Sequence, residues 1–192
     1  MFDRLRKNIE KKVILTDEEF AGITPSFKRI QLKKKERLLS NGQVSNFVVF
    51  VDKGSLRSYT IDEKGNEHIL QFAFENYWIG DLYSYLTDAP SALNIEAMEA
   101  TEVLYVSKTD MEALYEKEPK LDRFMRLQVQ NAYVALQKRL NAAMSVPTED
   151  RYLELMRVHP DILVRVPLIY IASYLGVTPE SLSRIRRQLT VK

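Results

Sequence analysis

A chain of 192 residues, 45% of them hydrophobic, is long enough for one domain or two small ones with real cores. It contains no cysteine, which excludes structural disulfides, cysteine-ligated zinc and cysteine-ligated iron–sulfur clusters. The net charge of +2 excludes a broadly basic nucleic-acid coat, and the excess falls in residues 148–192, with seven Lys/Arg against five Asp/Glu. No stretch approaches the ~20 apolar residues needed to span a bilayer, and the opening MFDRLRKNIEKK carries no apolar signal core. A cytoplasmic protein without a membrane partner is expected.

Residues 1–24 read as helical. Phe2, Leu5 and Ile9 keep helical spacing, and Thr16-Asp-Glu-Glu resembles a helix start with acidic residues at its positive end. From Ser26 the period changes. Phe27-Ile30-Leu32, Phe47-Val49-Val51, Leu56-Ser58-Thr60 and Ile69-Gln71-Ala73 read as short strands, as do residues 93–98 and 102–107. Turn signals separate them at Asn41-Gly42, Lys53-Gly54 and Asp62-Glu-Lys-Gly65-Asn66. Many short strands with Gly at the corners point to a sandwich or jelly roll.

A short helix starts at Thr109-Asp-Met-Glu, and Pro119 opens a long one, with no Gly or Pro from 120 to 144. Two apolar stripes run along it. One holds Leu121, Phe124, Leu127, Asn131, Val134 and Lys138, the other Val129, Tyr133, Leu136, Leu140 and Met144. Two apolar faces need two partners, and we expect the roll and the same helix of a second copy, with Phe124, Leu127, Asn131 and Val134 as the dimer seam. One wide face in a monomer's core is the alternative. Ser145-Val-Pro147 reads as a hinge, Thr148 starts a helix with Tyr152, Leu153, Leu155, Met156 and Val158 on its apolar side, and residues 162–166 read as a short extended connection.

Residues 166–189, VPLIYIASYLGVTPESLSRIRRQL, read as two helices about a tight turn. Ile169, Ile171, Ala172 and Leu175 form one apolar face. Gly176 suits a left-handed helix end, and Val177 plugs the turn. Thr178 suits an N-cap, Pro179 the first helical position, and Glu180 the positive end of the dipole. Leu182, Ile185 and Leu189 recur at helical spacing. The other face carries Glu180, Ser183, Arg184 and Arg187, the layout of a DNA-binding helix-turn-helix. Carboxylate can accept from cytosine N4, and guanidinium can pair with guanine O6 and N7. An ordinary helical hairpin with an i,i+4 ion pair would give the same pattern.

The order of β-roll, long helix, hinge and terminal helix pair resembles the Crp/Fnr superfamily of bacterial transcription regulators over essentially the whole chain. Asp52-Lys-Gly-Ser-Leu-Arg57 looks like its K-G-x-[LV]-[RK] strand turn, Asp62-Glu-Lys-Gly65 like its D-E-x-G hairpin, and Ile79-Gly80-Asp81-Leu82 like its I/F-G-E-L; residues 171–189 match the recognition pair. The resemblance implies an α+β fold: a cyclic-nucleotide-binding-like double-stranded β-helix (jelly-roll) sensor domain over 1–118, a long dimerisation helix over 119–145 and a helix-turn-helix over 146–192. It implies a homodimer on double-stranded promoter DNA, at an inverted repeat with half-sites about one turn, ~34–36 Å, apart, and RNA polymerase as a further partner. Glu180-Ser-Leu-Ser183-Arg184 fits the E-x-x-S-R of Fnr-type readers, so Glu180, Ser183 and Arg184 are expected on bases of a TTGA-like half-site. Thr178, Arg186 and Arg187 are expected on phosphates.

The chain departs from cyclic-nucleotide-binding members. Their cyclic phosphate is held by Arg and Ser at positions that fall here on Ser91 and Ala92, and no Arg or Lys lies between Asp81 and Lys108. A phosphate buried without a cation loses its strongest partner. Weak or no cyclic AMP binding is expected, with Asp81 still able to take a ribose hydroxyl. The effector pocket is expected at Ile79, Gly80, Asp81, Leu82, Ser91 and Ala92, with Tyr83 and Tyr85 nearby; its small molecule is unidentified, and plain barrel packing is the alternative. Little or no wing is expected after the recognition helix. No haem or iron–sulfur cofactor is expected, because His68 and His159 read as structural. A metal-dependent jelly-roll enzyme would need two or three His converging in the barrel, so no enzyme is expected. A ligand-sensing regulatory module with weak or lost DNA binding is the competing reading.

Overall fold

The computed structural model describes residues 2–190. Helices α1 (Asp3–Glu10) and α2 (Asp17–Ile23) open the chain. Strands β1 (Lys28–Leu32), β2 (Arg37–Leu39), β3 (Phe47–Lys53), β4 (Leu56–Ile61), β5 (Glu67–Ala73) and β6 (Trp78–Ile79) follow, then α3 (Leu82–Thr87), β7 (Asn94–Ala97) and β8 (Thr101–Ser107). The chain continues through α4 (Lys108–Lys117), α5 (Pro119–Ser145), α6 (Thr148–Val158), α7 (Ile162–Arg165), α8 (Leu168–Leu175) and α9 (Pro179–Thr190). The strands form two four-stranded sheets, in the orders β1-β8-β3-β6 and β2-β7-β4-β5, as the jelly-roll reading requires. None of the described helices is long and apolar enough to cross a membrane. A wing would lie after α9, outside the described residues.

The chain divides into two compact units. One holds the residues up to Ser58 together with Phe72–Asn131; the other holds Tyr59–Gln71 and the chain from Ala132 on. The division runs through α5 and cuts out the outer half of the β4–β5 hairpin.

In the first unit, strand alternation builds two cores from one sheet. Val49 and Val51 of β3 and Val103 of β8 point between the sheets, where they meet Leu39, Leu56, Ala73, Ile79, Ile95 and Ala97. The intervening Phe50, Leu104 and Val106 point the other way, into a helical layer made by Leu5, Ile9, Met111, Leu114, Leu121 and Phe124. Trp78 seals that layer. Its ring lies 5.4 Å from Phe50 and 5.9 Å from Phe124, and its Nε1 donates to Asn8 Oδ1 at 3.0 Å. At Gly54, φ is +88° and an added Cβ would come within 2.6 Å of Ala100 O, so only glycine fits that corner.

The helix starts follow from local chemistry. Thr16 and Glu19 form a reciprocal capping box at α2, and Ser107 caps α4 by accepting from Asp110 N. In the hairpin, the Asp62 carboxylate accepts from Lys64 N, Asn66 N and Asn66 Nδ2 and sits 3.0 Å from His68 Nε2. The Asn66 side chain, then His68, holds its pKa well below the usual carboxylate range.

Two expectations for the second unit are corrected. Residues 162–166 are not extended: Ile162–Arg165 form a helical turn, closed by Arg165 N and Val166 N on Asp161 O and Ile162 O. The β-branched run suggested a strand, but burial of Ile162 at 1% exposure overrides that propensity. Ile169 is 58% exposed rather than part of the buried face of α8. It lies two residues, about 200° of helix, from Ile171, so a single face cannot hold both.

Candidate nucleic-acid interface and effector region

In the second unit α8 and α9 meet at a tight turn. At Gly176 the chain turns left-handed, with φ 71° and ψ 33°. Val177 N reaches Ala172 O and Gly176 N reaches Ser173 O, both at 3.0 Å, which closes a Schellman end. Thr178 Oγ1 then accepts from Ser181 N at 3.2 Å and caps α9. Leu182 is fully buried and Ile185 and Leu189 half-buried, which fixes the roll of α9 about its axis. The opposite face is thereby exposed, with Glu180, Ser183, Arg184 and Arg187 all open to solvent, and Thr178 as well; Arg186 is half-buried. Among the described residues Glu180 and Arg184 form no ion pair with each other or with a third group. A surface ion pair therefore does not account for the E-x-x-S-R pattern.

The expected dimer seam on the long helix is corrected at Phe124. Phe124 is fully buried in the first unit's helical core against Trp78, so it anchors α5 to the roll and cannot line an open seam. Leu127 is half-buried, while Asn131 and Val134 are exposed. The other stripe is open as well: Val129, Tyr133, Leu136, Leu140 and Met144, at 40%, 60%, 57%, 59% and 80% exposure, against 46% for Val134. Its spacing of three and four residues is that of a coiled-coil seam.

In the effector region the structure brings Ile79, Gly80, Asp81 and Ser91 together and leaves Leu82 and Ala92 exposed. Asp81 is buried and is the N-cap of α3. Its Oδ1 accepts from Tyr83 N at 3.0 Å and Ser84 N at 3.3 Å, and Ser91 Oγ donates to Oδ2 at 2.6 Å. These protein donors occupy the carboxylate at the position where a ribose hydroxyl was expected. Ser84 continues the network, accepting from Ser45 N and donating to Ala89 O. Ser45 Oγ, Tyr85 OH and Asn94 Nδ2 lie buried around this segment without a protein hydrogen-bond partner among the described residues. Burial, then the charge of Glu112, pushes the Tyr85 phenol up to about 12.

Sequence reasoning missed the buried cation of the roll. Arg57 of β4, 2% exposed, donates through Nη2 to Glu96 Oε1 of β7 at 3.0 Å and through Nε at 3.3 Å. Leu56 points between the sheets, and so do Ile95 and Ala97, so alternation puts Arg57 and Glu96 on the other face of their sheet. The signal is in the sequence: an Arg three residues after the Gly54 corner, inside a strand with a buried neighbour. Its charge is neutralised by Glu96, so an anion would have to displace that carboxylate.

The family described as "Cyclic nucleotide-binding domain" matches residues 29–118. A curated relative from Lacticaseibacillus casei, "Probable transcriptional regulator flp", is 28% identical over 183 residues, covering 91% of this chain and 82% of the relative. Over residues 29–118 the chain is therefore similar to that domain family, and over most of its length to a transcriptional regulator. Solved structures share the fold: FixK2 from Bradyrhizobium japonicum superposes with a TM-score of 0.74 at 18% identity, covering 86% of this chain and 85% of that one. The c-di-GMP-responsive regulator CLP of Xanthomonas campestris has a TM-score of 0.72 at 12% identity, covering 92% of each chain.

Proposed function

We propose that this protein is a sequence-specific, cytoplasmic transcription regulator of Crp/Fnr type that binds an inverted repeat as a homodimer. The proposed organisation is a sensor roll over 1–118, a dimer helix over 119–145 and a DNA reader over 146–192, with the open α5 stripe of Tyr133, Leu136 and Leu140 as the seam. The observation that carries the reading is α9: a capped helix, held by Leu182, whose exposed face offers Glu180, Ser183 and Arg184 without an internal ion pair. Glu180, Ser183 and Arg184 read bases, and Thr178, Arg186 and Arg187 hold phosphates. RNA polymerase is the proposed further partner.

The proposed effector is not cyclic AMP. Asp81 is committed to α3 and Ser91, and the buried Arg57 is committed to Glu96. An uncharged small molecule using the Tyr85 hydroxyl and Asn94 amide fits the segment better than a cyclic phosphate. The test is Arg184→Ala on the protein's best duplex at fixed salt. A lost bidentate guanine contact costs about 1–3 kcal/mol per half-site, or about 2–6 kcal/mol for the dimer. Equal affinity of the variant and the parent would favour a module that has lost DNA reading.

A further inference from the structure

One side chain ties the hinge to the helix-turn-helix. Arg151 sits on α6, half-buried, and its guanidinium meets three acceptors in three directions. Nη1 donates to Leu175 O at 2.8 Å, Nη2 to Thr148 Oγ1 at 2.9 Å, and Nε to Val146 O at 3.2 Å. Leu175 is the last residue of α8, and Val146 directly follows α5. Backbone carbonyls at helix C-termini lack intrahelical partners and carry the negative end of the dipole, so a cation is favoured at each. Here a single planar fork serves both ends. Lysine could supply the charge but not three fixed directions.

The position of these contacts gives them a function. Leu175 O is one residue before Gly176, the left-handed corner from which α9 departs. The Schellman bonds from Gly176 and Val177 run back into the same last turn of α8, to Ser173 O and Ala172 O. A change in the direction of that turn re-aims α9 as a whole, including Glu180 and Arg184. We infer that Arg151 is a positioning residue for DNA reading: it locks the last turn of α8 to the end of the dimer helix and so fixes the angle at which α9 meets bases. Arg151 touches no base in this scheme, and it acts through the Gly176 corner. The inference rests on α9 being the DNA reader.

The claim predicts a loss of specificity rather than of binding. Bidentate base contacts depend on geometry, whereas phosphate contacts tolerate small shifts. Arg151→Met and Arg151→Lys are compared with the parent on the selected duplex and on a scrambled duplex at one salt concentration. Amide exchange at Gly176 and Val177 is measured without DNA. For Arg151→Met we expect specific affinity to fall at least about tenfold, one lost base contact in scale, with scrambled-duplex affinity within about twofold and an unchanged salt slope. The two amides should exchange faster. Arg151→Lys should shift the specificity ratio in the same direction, and it carries the test alone should Arg151→Met not fold. A parallel loss on both duplexes, or an unchanged ratio in both variants, overturns the positioning role and leaves Arg151 as a stability residue. A parent protein that prefers no sequence overturns the DNA reading instead; the amide exchange then still decides whether Arg151 holds the corner, and unchanged exchange refutes it.

Discussion

Phe124→Ala distinguishes the two stripes of α5. The Phe124 ring is fully buried, 5.9 Å from Trp78, in a core shared with Phe50, Leu104 and Met111. Truncating a buried Phe costs about 3–5 kcal/mol through lost transfer energy and the cavity left behind. For a unit of this size, that lowers the midpoint of thermal unfolding by roughly 10–20 °C. Leu140 is 59% exposed in the protomer, so Leu140→Ala removes little from either core. Its cost should appear only as a weaker dimer and a midpoint that depends more on protein concentration. Trp78 is the only tryptophan of the chain and lies in the affected core, so its fluorescence in urea reports the first unit directly. Measurement at two protein concentrations separates the effects. A Phe124→Ala loss below about 1 kcal/mol, or one that vanishes at high concentration, would refute the assignment of Phe124 to the roll core.

Ser173→Ala should loosen the outer β4–β5 hairpin, because the Ser173 hydroxyl accepts from Ile69 N at 3.0 Å and donates to Glu67 O at 2.7 Å. The expected loss is about 1 kcal/mol, read as faster amide exchange at Ile69, and unchanged protection would contradict it. Burial lowers the pKa of His159 below its ordinary value. The unfolded chain then binds the proton more tightly, so the His159 contribution is complete above about pH 6.5 and is lost as pH falls through the folded value. His159→Gln should flatten that acid limb in urea titrations, and an unaltered limb would assign it to other groups. Glu96→Gln should destabilise the roll by removing the carboxylate that compensates buried Arg57, at about 3 kcal/mol, and a neutral effect in urea would show the pair to be dispensable.

Local structure is legible in the sequence where one residue type has one physical use. Gly176 before Val177 and Thr178 meant a left-handed helix end followed by a cap, and both are present. The Asp62, Gly65 and Asn66 run meant a hairpin, and Asp62 closes it. Periodicity does not tell which residues of α5 face the roll: both stripes keep helical spacing, and burial with Phe50, Met111 and Trp78 assigns Phe124 to it. Strands β2 and β6, of three and two residues, are too short to show a period. The commitment of Asp81 was hidden because its Ser91 donor lies ten residues away across a loop. Arg57 was overlooked because its counter-charge, Glu96, is brought alongside only by sheet pairing.

The central claim is that α9 of a two-fold dimer reads DNA sequence. Selection from a random duplex library with the purified protein, at stated salt, tests it most directly. The account predicts enrichment of an inverted repeat with TTGA-like arms centred about one helical turn apart, ~34–36 Å, and loss of that enrichment in Arg184→Ala. Enrichment of no inverted repeat, with or without a small-molecule pool added, or a repeat that survives Arg184→Ala unchanged, would contradict it.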